Sequence, residues 1–399
     1  MTPPQIDYWI HDADNHYYEP DDFCTRHIEE RYRKATCWLD RVEPGVPARM
    51  YVGDERCEFY SVGAGDSIGR PGVMKAFLKG QVDEGGSPSL APHFALGVPE
   101  FVDRRARLAK MDEQRVERTL MLPSAGIGLV PQLAQPKHRE VMIPTLRAFN
   151  RWLEEDWGYG ADGRIYGAPL VALQELEDGL AEVDRVIAAG ARFVCLMAGP
   201  IDGLSPGDPR FDPFWARVEE ARVGVVFHIG STTVERAYNT AWGLRAAPPS
   251  HRHSLMEYAL SFTERPVADT LTALVADNVF GRFPGLRVLS VEYGSSWVAP
   301  LLRKLDAIAR LYSKDLWRFG RPPGTPSELF RRHVWVSPFF EDDVPALART
   351  IGAERVLGGS DYPHPECLLW PMEFAEELGG MSDADVRRVL RDNFEELVA

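Results

Sequence analysis

Asp12-Ala13-Asp14-Asn15-His16-Tyr17-Tyr18-Glu19-Pro20 follows the apolar entry Tyr8-Trp9-Ile10 and ends in a proline. Side chains alternate across an extended strand, so Asp12, Asp14 and His16 are expected on one face. Two carboxylates and an imidazole on a buried strand face cost free energy unless something pairs with them. A divalent metal is the simplest partner, because a carboxylate and a neutral imidazole two residues apart can reach one ion. A polar surface strand is the competing reading. The other strands decide between them.

Regular alternation begins at Pro99. A helix is expected over 100–115, then the strand Arg118–Ser124 and an amphipathic helix over 136–157. The strands Ile165–Val171, Ala191–Met197, Gly224–Gly230, Leu286–Gly294, Val334–Phe339 and Arg355–His364 follow, separated by helical periodicity. With the first strand that makes eight short apolar strands, the pattern of buried parallel strands in a (β/α)8 TIM-like barrel. An open doubly wound sheet is the alternative, but no GxGxxG turn follows the first strand. The expected organisation is a single α/β domain over 1–399. It carries an insertion at 21–95, read as a lid or interface arm, and a long loop at 231–264 after strand five. Within the insertion, Ala48–Tyr60 reads as a hairpin turning at Gly53-Asp54.

Composition narrows the function. The 399 residues are 45% hydrophobic and 26% charged, enough for a sizeable core. A net charge of −14 argues against nucleic acid or an anionic membrane as partner. Five scattered cysteines without a CxxC pair fit a reducing compartment and argue against a disulfide frame or a cysteine-based zinc site. No export signal and no membrane-length apolar run is visible, so a cytoplasmic protein is expected.

Barrel enzymes carry their chemistry at the C-terminal ends of the strands. Here strand one ends in Asp14-Asn15-His16, strand five in His228, strand six in Glu292 and strand eight in Asp361. Singly, each has an ordinary explanation as a core histidine, a turn former or a helix cap. Together they deliver imidazole and carboxylate to one mouth, the donor set of a hydrolytic or Lewis-acid metal site.

The Asp14-Asn15-His16 element with Glu19-Pro20, the lone His228 and Gly359-Ser360-Asp361-Tyr362-Pro363-His364 resemble the amidohydrolase superfamily. More narrowly they resemble its amidohydrolase-related branch, which includes aminocarboxymuconate-semialdehyde decarboxylase and aromatic-acid decarboxylases. Phe283-Pro284-Gly285 before strand six and the closing Asn393-Phe394 also fit. The resemblance implies that Asp14, His16, His228 and Asp361 hold one divalent ion, zinc or manganese, with Asp361 doubling as the proton-transfer group. Binuclear members use a lysine on strand four; Phe193–Gly199 has none, which favours a mononuclear site. One position departs from the branch. Its decarboxylases usually have a histidine at the end of strand six, where this chain has Glu292, as an extra ligand or a base.

Glu19, His251, His253 and His364 are the remaining candidates, for substrate contact or for orienting a ligand or loop. The expected activity is non-oxidative decarboxylation of a small aromatic or unsaturated carboxylic acid. The alternatives are hydrolysis of an amide, ester or lactone, and a non-catalytic barrel that only binds. The resemblance also implies a homodimer, with 21–95 as its contact.

Overall fold

The structure, a computed structural model, describes residues 6–40, 49–57, 67–68, 70–81, 94–95, 98–249, 252–311 and 317–399. Its framework is a ring of parallel strands: β1 (Ile10–Tyr17), β2 (Val116–Pro123), β3 (Ile165–Gly167, resuming at Leu170–Val171), β4 (Phe193–Leu196), β5 (Gly224–His228), β6 (Arg287–Val291) and β7 (Val334–Ser337). β1 pairs with β2 and β2 with the first half of β3, while the second half of β3 begins a ladder running through β4, β5 and β6 to β7. Ala168-Pro169 interrupts β3, because proline has no N–H to give the ladder.

The expected eighth strand, Arg355–His364, is not a regular strand. It is an extended segment held by single parallel bridges, Val336 to Val356 and Asn15 to Tyr362. Backbone hydrogen bonds still carry it between its neighbours. Leu357 N donates to Val336 O (2.9 Å), Ala13 N to Gly358 O (2.9 Å), Asp361 N to Asp14 O (2.8 Å) and His16 N to Tyr362 O (2.8 Å). The irregularity has a packing cause: a Cβ on Gly359 would lie 2.5 Å from Ser337 Oγ and 2.6 Å from Asp14 Cβ. Only glycine permits that approach.

A β-bulge corrects the reading of the first strand. Asp12 pairs with Thr119 and Asn15 with Met121, so β1 has one extra residue between them. Strict alternation therefore fails, and Asp12 does not join Asp14 and His16. Its carboxylate accepts from Ser360 N (2.9 Å), Ser360 Oγ (2.5 Å) and Asn15 Nδ2 (2.9 Å), stitching β1 to the eighth segment.

Helices α1 (Arg104–Gln114), α2 (Gly126–Leu133), α3 (Arg139–Asp156), α4 (Leu176–Ala188), α5 (Asp212–Glu220), α6 (Thr233–Ala241), α7 (Arg265–Ala276) and α8 (Val298–Leu311) alternate with the strands. The helix expected over 100–115 is broken at Asp103. Its extended backbone lets the carboxylate cap α1 by accepting from Ala106 N at 2.8 Å. Helix α2 was not expected from the sequence. Val225, Val226, Phe227, Val288 and Leu289 are fully buried in the core. Each such side chain contributes roughly 1.5–3 kcal/mol by leaving water.

In the insertion, Arg49–Val52 and Glu55–Arg56 form the expected hairpin at Gly53-Asp54, with Gly53 at φ +58°. A third strand, Cys37–Asp40, joins it on the other edge. The sheet docks on the barrel: Cys37, Met50 and Val52 enter the main core, and Thr36 Oγ1 meets Thr145 Oγ1 of α3 at 2.8 Å. The five thiols are buried and form no disulfide. No helix among the described residues is long and apolar enough to cross a membrane.

Candidate metal centre

Asp14 and His16 lie near the end of β1, His228 ends β5, Glu292 directly follows β6, and Asp361 lies in the eighth segment. The barrel brings these five together. His16 Nε2 lies 3.3 Å from Asp14 Oδ1, 3.3 Å from Asp361 Oδ1 and 3.9 Å from Glu292 Oε2. His228 Nε2 lies 2.9 Å from Glu292 Oε2 and 3.5 Å from Asp14 Oδ1. Ligand-type atoms of Asp14, His16, His228 and Glu292 all fall within 4.8 Å of one another.

The backbone orients both rings. His16 Nδ1 lies 3.3 Å from Pro123 O and His228 Nδ1 2.8 Å from Ile229 O. A carbonyl oxygen only accepts, so each neutral ring carries its proton on Nδ1 and turns the Nε2 lone pair to the cluster. Both Nε2 atoms, Asp14 Oδ1 and Asp361 Oδ2 are buried without a hydrogen-bond partner. Buried polar atoms are normally satisfied; both Nε2 atoms and Asp14 Oδ1 converge with a Glu292 oxygen and fit a divalent ion, while Asp361 groups with His16 and His364 and with Glu292 and Glu366. The cluster is suited to one such ion.

Two of the carboxylates sit on strained backbone. Glu292 has φ +58° and Asp361 φ +60°, a region non-glycine residues rarely occupy. Such conformations cost roughly 1–3 kcal/mol and persist where the surroundings impose them. Both are at strand ends, and both belong to the cluster.

Charge in the cluster is unbalanced without a cation. Burial, only partly offset by His228, pushes the Glu292 carboxyl up to about 7. Burial and then the neighbouring Glu292 hold Asp361 well above the usual carboxylate range. Burial would lower His228, but Glu292 and Asp14 outweigh it and carry the imidazole up to about 10. Burial pushes His16 down. In the metal-free protein a proton therefore does for His228 and Glu292 what a bound cation would do.

The other candidates are placed differently. His364 supports Asp361: its Nδ1 lies 2.6 Å from Asp361 Oδ1, and its ring packs on His16 with centroids 4.1 Å apart. Its Nε2 lies 3.0 Å from Ser124 Oγ, which donates to Tyr17 O at 2.7 Å. Glu19 is a buried anchor whose carboxylate accepts from Ala125 N and Gly126 N at 3.0 Å, fixing the loop that holds Ser124 at the start of α2. It orients a loop, and its contacts are with backbone. His253 is held inside the 231–264 excursion, 3.1 Å from Glu235 Oε1 and packed on Phe262 at 4.3 Å. His251 lies outside the described residues. Sequence reasoning missed Ser124 and Glu366. Ligand-type atoms of Glu366, Glu292 and Asp361 also lie within 4.8 Å of one another. The available signal was Glu366's position five residues beyond Asp361 in the same loop.

Comparison with known proteins agrees with this architecture. A family model described as amidohydrolase matches residues 7–398. The chain is 34% identical to a structurally characterised amidohydrolase from Mycobacterium avium subsp. paratuberculosis K-10. That match has a TM-score of 0.88 and covers 99% of this chain and 100% of the other. It is 24% identical over 305 residues to a gamma-resorcylate decarboxylase from Rhodococcus jostii (strain RHA1), covering 72% of this chain and 84% of that protein. A dihydroxybenzoic acid decarboxylase from Polaromonas sp. JS666, solved with bound manganese and 2-nitroresorcinol, shares the fold at 19% identity. Its TM-score is 0.57, with 82% of this chain and 92% of that one covered.

Proposed function

The chain belongs to the amidohydrolase family, whose members are metal-dependent enzymes, and on that premise we propose that it is a non-oxidative decarboxylase of a small aromatic or unsaturated carboxylic acid. The observation that carries this reading is the pairing of two imidazole lone pairs with a buried, partnerless Asp361 oxygen. Similarity to a resorcylate decarboxylase over 305 residues supports it.

In this reading Asp14, His16, His228 and Asp361 hold the ion, with Glu292 as a further ligand or a base. When bound, the ion supplies Lewis-acid polarisation of the substrate's oxygens. Asp361 is placed to carry the proton: one of its oxygens is held by His364 Nδ1 and the other, Oδ2, is buried without a hydrogen-bond partner. As the carbon–carboxylate bond breaks, carbon dioxide leaves and the electron pair stays on carbon, where Asp361 delivers its proton. His364, 2.6 Å from the other Asp361 oxygen, holds the carboxyl in place. The acid substrate is thus a small molecule, and zinc or manganese the matching ion.

Hydrolysis of an amide, ester or lactone is the second reading, and Glu292 favours it. A carboxylate 2.9 Å from His228 Nε2 is placed to accept a proton from attacking water, after which Asp361 protonates the leaving group. Measuring carbon dioxide release from hydroxybenzoates and enoic acids, beside hydrolysis of lactones and amides, tests the two. Carbon dioxide release is expected; hydrolysis alone would transfer the assignment to the second reading.

A further inference from the structure

Arg107 of α1 is fully buried and carries a positive charge into the core. Arginine keeps its charge when buried, so its presence there is costly unless its donors are met. Here each nitrogen has a partner. Nε donates to Glu100 O at 2.7 Å, Nη2 to His16 O at 2.7 Å and Nη1 to Asn15 Oδ1. These acceptors are neutral. The opposite charge is reached through Asn15, whose Nδ2 donates to Asp12 Oδ2 at 2.9 Å. Asp12, buried as well, in turn accepts from the N–H and the hydroxyl of Ser360. The guanidinium also lies over the Tyr362 ring, 5.1 Å from its centroid.

These contacts fall beside members of the metal centre. His16 is one of its ligand-type side chains, and Asn15 separates it from Asp14. Ser360 and Tyr362 flank Asp361. The eighth segment has single bridges to its neighbours, so no regular ladder fixes its register against β1. We propose that Arg107 is a positioning residue for the metal centre: its guanidinium clamps β1 to the eighth segment and so sets where Asp361 stands relative to His16, whose Nε2 is 3.3 Å from Asp361 Oδ1. The planar fork is what the task requires. A lysine ammonium is a point charge, not shaped to span His16 O, Asn15 Oδ1 and the Tyr362 face together. This role rests on the metal centre and holds whichever reaction the centre performs.

Manganese titration of the full-length, chelator-stripped protein tests the clamp, with bound ion read by electron paramagnetic resonance and stability by denaturant midpoint. In Arg107→Met the dissociation constant should rise about 10- to 100-fold, the range for residues that orient metal ligands. The zero-field splitting of the bound ion should change with it. Arg107→Lys, which keeps the charge, should recover only part of the affinity. Ser360→Ala, which removes one hydrogen bond to Asp12 and leaves Arg107 in place, should weaken binding in the same direction. A residue that merely fills the core would lower the midpoint and leave dissociation constant and spectrum unchanged; that result would overturn the proposal. If Arg107→Met does not fold, the other two variants decide, and wild-type affinity in both would overturn it. Ion affinity is read without turnover. Failure here therefore leaves the decarboxylase reading standing, and hydrolysis in place of carbon dioxide release leaves the clamp standing.

Discussion

Oε2 of Glu292 lies 2.9 Å from Nε2 of His228, although the two residues close different strands. The contact puts a carboxylate against an imidazole whose Nδ1 is already committed to a carbonyl. Glu292→Gln keeps the volume and removes the charge. The first ion should stay, because Asp14, His16 and His228 remain, while turnover falls on the order of 10²–10⁴-fold as expected for a lost proton-transfer group. Metal analysis beside kcat checks it; loss of the tightly bound ion would make Glu292 chiefly a ligand.

Asp361→Asn tests the proton carrier. Asparagine tolerates the left-handed backbone at φ +60° better than most residues, so the fold should persist with an unchanged circular dichroism spectrum. Turnover should drop by at least about 10²-fold. Undiminished turnover would remove Asp361 from the mechanism.

Chelation should destabilise the protein as well as inactivate it. Removing an ion leaves the buried donor atoms of Asp14, His16 and His228 without partners. Binding to the folded state alone stabilises by about 2.7 kcal/mol at a ligand concentration of 100 times Kd. Melting temperature should fall in EDTA and recover with added zinc or manganese, and His228→Ala should abolish that recovery.

Gly359→Ala probes the contact between the eighth segment and its neighbours. The new methyl would press on Ser337 Oγ at 2.5 Å and Asp14 Cβ at 2.6 Å. Overpacking of this kind costs roughly 1–3 kcal/mol, read as a lower denaturant midpoint. Metal affinity should drop too, because the strain falls on Asp14. Unchanged affinity would show that the strand can give way without moving the ligand.

Glu19 links stability to pH. Burial raises its carboxyl from 4.5 to about 7 despite hydrogen bonds from Ala125 and Gly126. The folded state therefore favours the protonated form. Its stabilising contribution is full below about 4.5 and is lost as pH rises through about 7, a change of up to ~3 kcal/mol. In Glu19→Gln that part of the pH slope should vanish, measured as denaturant midpoints from pH 5 to 8.

Some of this was legible in the sequence by itself. Val225-Val226-Phe227-His228 and Val288-Leu289-Ser290-Val291-Glu292 announce buried strands that stop at a polar group, because apolar runs of that length have few other uses. Parallel order and the convergence of Asp14, His16, His228, Glu292 and Asp361 follow from that pattern, whereas the eighth expected strand proved to be an irregular segment held by single bridges. Tertiary structure alone decided the rest. Alternation placed Asp12 beside Asp14, but the bulge before Asn15 moved it to Ser360, and a bulge is set by the partner strand. Glu19 and His253 look like rim residues in the sequence; their partners, Ala125 and Glu235, come from segments whose approach no local pattern encodes. Glu366 had no periodicity to reveal it. Its significance rests on two carboxylates, one of them 74 residues earlier in the chain, and on a left-handed backbone at both that only the tertiary fold imposes.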